Sequence, residues 1–341
     1  MKKLLATILV IIMIFTLAAC GPNESEEVES LGTPTAIEIE QPIPAANIAE
    51  VAEQNKIGIS LAGEGAFYDQ LILDMTAECN ALNYEADIKV ALSAEEQIQQ
   101  LYTMISTGVD IVVIDAVDVD LLEAVLAECE TQQIPVINII DSINGLVSTL
   151  ITPDFLGIGK SAGRDAVELF GKSGVGCMLI KGDYDSFSMQ LMTDGFMEEI
   201  NTDKDVSLIA EEYCGDDEQK AYEAANRAIA NEEIGFIFAQ SDTLGLGAIR
   251  AIEENGGGIT LVVFGGDMDI IEAAASGTVH SAIFFGPAEL AKETVYIADR
   301  FIKNETYEPP PYLELRIEAA QQSDASRYFV DGNIYAQTLG G

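Results

Sequence analysis

From Lys56 onward, short apolar segments alternate with amphipathic segments of helical spacing, and this alternation constrains the fold more than any other feature. The run Ile111–Ile114 is apolar at every position, as in a strand that is covered on both faces of a parallel sheet. Regular β-α alternation predicts doubly wound parallel sheets with right-handed crossovers. Roughly ten such units exceed the comfortable size of one sheet, so we predict an α/β protein of two Rossmann-like domains.

The helix starts carry N-capping residues. Ser93 precedes a helical segment, and Glu96 follows it three residues later, which is the spacing of a capping box. Asp242 and Asp269 stand where predicted strands turn into helices, so their default interpretation is also that of N-caps.

The N-terminus predicts export. Lys2 and Lys3 precede an apolar run from Leu4 to Leu17, which ends in Ala18-Ala19-Cys20. A short apolar run behind positive charge is typical of a secretory signal and is too short for a membrane span. Leu17-Ala18-Ala19-Cys20 also matches a lipobox, in which the cysteine receives a lipid and becomes the new N-terminus. We predict a signal peptide over residues 1–19 and a lipid-anchored protein outside the cell membrane of a bacterium; an ordinary secretory peptide is the alternative.

The composition of residues 20–55 predicts a disordered tether. This segment is acidic, contains Pro22, Pro34, Pro42 and Pro44, and has few large apolar residues. The remaining roughly 290 residues are long enough for two domains.

Charge and composition exclude several functions. The net charge is −40, from 57 acidic and 17 basic residues, so nucleic acid is not an expected partner. Besides Cys20, the cysteines Cys79, Cys129, Cys177 and Cys214 show no C-x-x-C spacing, which argues against a metal site.

The sequence also gives little support for the usual catalytic or cofactor-binding motifs. His280 is the single histidine, so triads and zinc sites of the usual kinds are poorly supported. Gly63-Glu64-Gly65 lacks the third glycine of a dinucleotide site, where Tyr68 stands instead. We predict a protein that is not an enzyme and that holds neither a cofactor nor a metal.

Four short motifs follow one another along the chain in a characteristic order. Phe67-Tyr68 follows the first strand, and the segment Gly108–Asp118 reads GVDIVVIDAVD. Ile134-Pro135-Val136-Ile137 comes next, and Phe238-Ala239-Gln240-Ser241-Asp242 precedes Gly245-Leu246-Gly247-Ala248. From about Lys56 to the C-terminus the chain resembles the type I periplasmic binding proteins, particularly their ribose- and galactose-binding branch.

The resemblance implies two Rossmann-like lobes that are joined by three crossings and close over a ligand. We place the crossings near Thr152–Asp154, Phe285–Pro287 and Pro309–Pro311. The first lobe then comprises residues 56–152 plus 286–309, and the second comprises residues 153–285 plus 310–341. The resemblance further implies a monomer that hands its ligand to an ABC permease in the membrane.

Several positions depart from the ribose-binding pattern. The Asp-Arg pair after the "IPV" strand is replaced by Ile140-Asp141, and an arginine near the next helix start is replaced by Gln190. Ser241 stands where the ribose-binding pattern has an asparagine, and Phe285 stands where it has a glutamine at the late crossing. Asp267 matches the aspartate of the family's "GFD" segment. Because both arginines that would bind sugar hydroxyls are missing, simple ribose or galactose is not the expected ligand.

The candidate ligand-binding residues combine aromatic rings with carboxylates. They are Phe67, Tyr68, Asp115, Asp141, Gln190, Ser241, Asp267 and Phe285. Such a set suits a neutral polar or cationic small molecule. The sequence therefore predicts an extracytoplasmic solute-binding lipoprotein of an ABC importer, with sugars as the favoured ligand class. The alternatives are a ligand-presenting receptor for a sensor kinase or chemoreceptor, and a binder of a nucleoside or cationic ligand.

Overall fold

The computed structural model describes residues 54–328 apart from residues 185, 232, 233 and 305. The predicted signal peptide, Cys20, nearly all of the predicted tether and residues 329–341 lie outside the described residues. Within the described part of the chain, no helix combines the length and the apolar character needed to cross a membrane.

Strands and helices alternate along the described chain, as the hydrophobic pattern predicts. In chain order the elements are β1 (Lys56–Leu61), α1 (Ala66–Ala81), β2 (Glu85–Val90), α2 (Ala94–Ser106), β3 (Ile111–Ile114), α3 (Glu123–Thr131), β4 (Val136–Ile139), β5 (Thr149–Pro153), α4 (Phe155–Phe170), β6 (Val175–Lys181), α5 (Phe187–Ile200), β7 (Val206–Tyr213), α6 (Glu218–Asn231), β8 (Ile234–Ala239), α7 (Asp242–Glu254), β9 (Thr260–Phe264), α8 (Met268–Ser276), β10 (Ser281–Phe284), α9 (Pro287–Lys303), β11 (Tyr312–Leu315), β12 (Glu318–Ala320) and a 3₁₀ helix (Ala325–Tyr328). Strands β5, β11 and β12 are not predicted by the hydrophobic pattern, because these short strands mix polar and apolar residues.

The described strands form two six-stranded sheets, one in each lobe. The first sheet has the order β11-β5-β4-β3-β1-β2 with parallel pairing throughout. The second has the order β12-β10-β9-β8-β6-β7, in which β12 pairs antiparallel with β10. All four residues of β3 are buried, in line with a strand covered on both faces. The predicted fold of two doubly wound α/β domains is confirmed.

The described chain passes between the sheets at three places. They lie between β5 and α4, between β10 and α9, and between β11 and β12. The expected third crossing at Pro309–Pro311 is wrong, because the chain first adds β11 to the first sheet by pairing with β5. Before β11, the carbonyl groups of Pro310 and Pro311 already accept hydrogen bonds from Thr149 and Leu150. The crossing therefore falls at Arg316 and Ile317, and β11 belongs to the first lobe.

One predicted helix cap is correct and two are wrong. Ser93 caps α2 by accepting from the backbone N–H of Glu96 at 3.2 Å. Helix α7 is capped by Ser241, which accepts from Leu244, and Asp242 lies in the first turn. The N-cap position of α8 is occupied by Asp267, so Asp269 also lies within a first turn. The N-cap lies one residue before Asp242 in α7 and two residues before Asp269 in α8, so each aspartate lies inside its helix.

Glycines bring α4 and α5 unusually close together in the second lobe. A Cβ atom at Gly195 would overlap the carbonyl oxygen of Leu156, and one at Gly159 would overlap that of Met192. Gly163 meets the backbone of Phe196 in the same way. Because α5 carries Ser188 and Met189 at its start, this contact fixes where those two residues lie.

Candidate ligand-binding site

A cleft of about 410 Å³ lies at the carboxyl ends of strands from both sheets. The first lobe contributes residues after β1 and β4, and the second contributes residues after β7, β8, β9 and β10 and from the start of α5. Open α/β sheets bind ligands beyond the carboxyl ends of their strands, so this cleft is the expected position.

A second cavity of the same volume lies at the amino ends of β9 and β10 in the second lobe. It contains Thr278, His280 and Gln322, and none of its described lining residues is Phe, Tyr or a carboxylate. The second cavity therefore lacks the aromatic rings and carboxylates that line the first cleft, and the first cleft is the candidate site.

One wall of the cleft is aromatic. Phe67 contacts Tyr68 and Phe285 edge-on, with ring centroids 5.3 and 5.2 Å away. Phe264 stacks on Phe285 at 6.4 Å, and Phe155 meets Phe264 edge-on at 5.9 Å. Phe67 packs against the buried cores of both lobes, so the aromatic wall spans the cleft. Such a surface suits the C–H face of a sugar, a planar base or a cation.

Asp115 lies behind this wall and orients Tyr68. Its Oδ2 accepts from the hydroxyl of Tyr68 at 2.9 Å and from the backbone N–H of Ala62 at 3.2 Å. Burial raises the pKa of Asp115 to about 7, against the opposing effect of these two hydrogen bonds. Burial also raises the pKa of Tyr68 well above its ordinary value. Gly63 has a packing role here, because a Cβ atom at that position would overlap the Tyr68 ring.

Asp141 and Ser188 meet across the cleft. The hydroxyl of Ser188 in α5 donates to Oδ2 of Asp141, which follows β4 in the other lobe, at 3.1 Å. Burial raises the pKa of Asp141 above its ordinary value, although the contact with Ser188 opposes the shift. The lobes are therefore in contact in this structure.

The second lobe contributes an acidic corner, which we define as Asp216, Asp242 and Asp267. The backbone N–H of Asp267 donates to Oδ1 of Asp242 at 2.9 Å, and Ser241 donates to Asp216 at 3.0 Å. Burial, and then the charge of Asp267, raise the pKa of Asp242 to about 7. Burial, with smaller effects from Asp269 and Asp216, raises the pKa of Asp267 as well. Gly265 permits this arrangement, because a Cβ atom there would overlap the Asp242 carboxylate.

The structure brings most of the predicted site residues together. Those that line the cleft are Phe67, Tyr68, Asp141, Ser241, Asp267 and Phe285. Asp115 contacts Tyr68 from behind and does not line the cleft. Gln190 lies outside it, because its side chain is exposed and donates to Asp194 one helical turn later. Ser188 and Met189 occupy the cleft side of α5, and the helical rotation carries Gln190 away from it.

Other aromatic and polar residues that line the cleft were not among the predicted site residues. They include Phe155, Ser188, Asp216, Gln240 and Phe264. Asp216 and Phe264 could have been found, since each stands at or just beyond the carboxyl end of a strand. Asp242, the predicted helix cap, instead contributes its carboxylate to the acidic corner. Among the described residues, no group of three or more His, Cys, Asp or Glu is arranged to hold a metal ion.

Comparison with known proteins identifies the family. A family model described as a periplasmic binding protein domain matches residues 57–306. The chain belongs to the periplasmic binding protein family. The predicted resemblance is confirmed, and the members of this family are extracytoplasmic solute-binding proteins.

Individual relatives of this periplasmic binding protein share low sequence identity with it. The ribose import binding protein RbsB of Haemophilus influenzae is 24% identical over 212 residues, which cover 62% of this chain and 72% of that protein. A crystal structure of a galactofuranose binding protein has a TM-score of 0.71 at 22% identity, covering 80% of this chain and 96% of the other. AraP, an arabinose binding protein from Geobacillus stearothermophilus, has a TM-score of 0.74 at 16% identity, covering 81% and 99% of the two chains. At these identities the two structures show a shared fold.

Proposed function

We propose that this periplasmic binding protein is a lipoprotein that captures a small polar ligand of the sugar class and delivers it to an ABC importer. The observation that carries the proposal is the cleft itself, in which an aromatic wall faces carboxylates between two lobes. Aromatic rings pack on the C–H faces of sugars, and carboxylates accept hydrogen bonds from hydroxyls. The names of the relatives, which bind ribose, galactofuranose and arabinose, support the same ligand class.

Thermal unfolding of the full chain in mild detergent, with sugars and polyols added one at a time, tests the ligand class. A ligand that binds the folded form alone stabilises it by about 2.7 kcal/mol at about 100 times its dissociation constant. The Phe67→Ala variant should lose the ligand-induced shift. Phe301→Ala is the control, because Phe301 packs against Tyr307 away from the cleft and the shift should persist. Absence of a shift with every sugar and polyol would overturn the ligand assignment.

Two further measurements test delivery and anchoring. An ABC permease encoded beside this protein, reconstituted in vesicles, should import the labelled ligand only when the binding protein is added. The Cys20→Ser variant should leave the membrane fraction and appear in the medium, because it lacks the proposed lipid attachment. Import of the ligand without the binding protein would contradict the proposed delivery, and a membrane-bound Cys20→Ser protein would contradict the proposed anchoring.

A further inference from the structure

The second lobe presents a concentration of carboxylates to the cleft. The acidic corner supplies three carboxylates, and none of the described residues lining the cleft is Lys, Arg or His. Lys181, at the end of β6, does not compensate this charge, because it pairs with Glu211 at 2.9 Å and lies over the Tyr213 ring. The cleft therefore concentrates negative charge without a protein cation among its lining residues.

Gln240 is an independent sign of a missing hydrogen-bond donor. Its side chain is fully buried and lines the cleft, and its Nε2 donates to the carbonyl of Met189 and to Oγ1 of Thr193. The Thr193 hydroxyl itself donates to the Met189 carbonyl, so it can only accept from Gln240. This fixes the amide orientation and leaves Oε1 as a buried acceptor without a partner in the described structure. Buried acceptors are normally paired, so a donor on the ligand is the expected partner.

The three carboxylates of the acidic corner line the cleft together, so a positive group on the ligand would bind favourably there. Burial and the proximity of Asp267 both disfavour the charged form of Asp242. A bound cation would relieve both effects. The described residues offer no cluster suited to a metal ion, which leaves an organic cation as the counter-charge. An ammonium group supplies three donors and no acceptor, and aromatic faces such as that of Phe264 also attract it.

We infer that the cleft takes a hydroxylated amine of sugar size, such as an amino sugar or aminopolyol, with its ammonium group against Asp242 and Asp267. The inference rests on the proposed function and narrows its ligand class. The aromatic wall then contacts the C–H face of the ligand. Neutral sugars of the same shape leave the acidic corner without its cation and bind more weakly.

Matched pairs of ligands test the inference on the full chain. Thermal shift and calorimetry at pH 7 compare each amine with its neutral parent. The pairs are glucosamine and glucose, galactosamine and galactose, and the corresponding amines and neutral parents among the polyols. The amines should bind at least about tenfold more tightly, which corresponds to about 1.4 kcal/mol. Equal or tighter binding of the neutral partners would overturn the inference and leave the proposed sugar-class function standing. A set in which neither member of any pair binds would overturn the inference, whereas the proposed function fails only when the wider set of sugars and polyols also gives no shift.

Two variants locate the ammonium site. Asp267→Asn should reduce the affinity for the tightest amine at least about tenfold, since one unit charge is removed at close range, and should leave binding of the neutral partner within about twofold. Asp269→Asn is the matched control, because Asp269 lies in the first turn of the same helix, outside the cleft lining. If Asp267→Asn and Asp269→Asn have equal effects on the amine, the ammonium group does not bind at the acidic corner.

Discussion

The hydroxyl of Ser188 donates a hydrogen bond to Asp141 across 3.1 Å, and this contact joins the second lobe to the first. Ser188 is 3% exposed, and its oxygen also lies 2.9 Å from that of Ser186. Since Ser188 donates to Asp141, the second contact is one in which Ser186 donates to Ser188. The bond is thus partly buried, and its donor is held in place by Ser186, so it favours the conformation in which the lobes are together.

Replacing Ser188 with alanine should shift the lobes toward separation. Loss of this partly buried hydrogen bond costs about 1 kcal/mol, or roughly a fivefold change in the equilibrium between closed and open conformations. FRET between one dye on each lobe of the ligand-free protein measures the shift. Ser173→Ala in the same lobe is the control, since Ser173 is exposed and bonds only within its own turn. An unchanged FRET distribution in Ser188→Ala would show that the contact does not hold the lobes together.

Replacing Tyr68 with phenylalanine should destabilise the fold through Asp115. The variant removes a donor from a buried carboxyl group, which costs about 1–3 kcal/mol in the free energy of unfolding. The loss should be larger at pH 8 than at pH 5, because the pKa of Asp115 is raised to about 7 and its charged form depends most on the donor. Urea unfolding at both pH values measures this, with the exposed Tyr102→Phe as control. Equal losses at the two pH values would exclude the carboxylate as the cause.

The sequence pattern predicted the parts of the fold that are governed by burial. Strands such as β3 and β8 are continuous apolar runs because both faces are covered, and such runs are visible without a structure. Strand β11 is only four residues long and pairs in register with β5, and no local signal marks this pairing. The position of the third crossing depends on that pairing, which explains why the sequence placed it too early.

The candidate site was predictable where it depends on strand ends. Asp141 and Asp267 lie within three residues of the carboxyl ends of β4 and β9, so topology alone brings them to the same cleft. Ser188 and Gln190 are two residues apart in one helix, and only the rotation of α5 against the sheet decides which of them enters the cleft. That rotation is set by the glycine contacts with α4, a tertiary property that composition and periodicity do not reveal.

Stability should fall as the pH rises through about 7. Burial raises the pKa of Asp115 and of Asp242 to about 7, whereas a carboxyl group of this type in an unfolded chain has a pKa of 3.8. The folded protein therefore binds protons more tightly than the unfolded chain. The resulting stabilisation is fully present below pH 3.8 and is lost as the pH rises toward and through 7. Each unit by which a pKa is raised contributes roughly 1.4 kcal/mol to the free energy of unfolding at low pH. The contribution of Asp242 is smaller than that of Asp115, because Asp242 is only partly buried.

Urea unfolding between about pH 5.5 and pH 8.5 measures this dependence. The whole chain is strongly acidic, so general charge repulsion also lowers stability as the pH rises, and variants must separate the two effects. Asp115→Asn should flatten the pH dependence, and Asp242→Asn should do so to a lesser degree. Glu253→Gln, at an exposed position, should leave the slope unchanged. The assignment fails if Asp115→Asn and Glu253→Gln give the same slope as the unmodified protein.

Replacing Gly195 with alanine should destabilise the second lobe, although the residue lies inside helix α5. Alanine in a helix interior is normally more stable than glycine by about 0.5–1 kcal/mol. Here the added methyl group would overlap the carbonyl oxygen of Leu156, so α4 and α5 would have to separate at a cost of about 1–3 kcal/mol. Thermal or urea unfolding gives the sign directly. Gln190→Ala, at an exposed position of the same helix, is the control and should be neutral or slightly stabilising. A stabilised Gly195→Ala protein would show that the two helices are not held at the contact distance that positions Ser188.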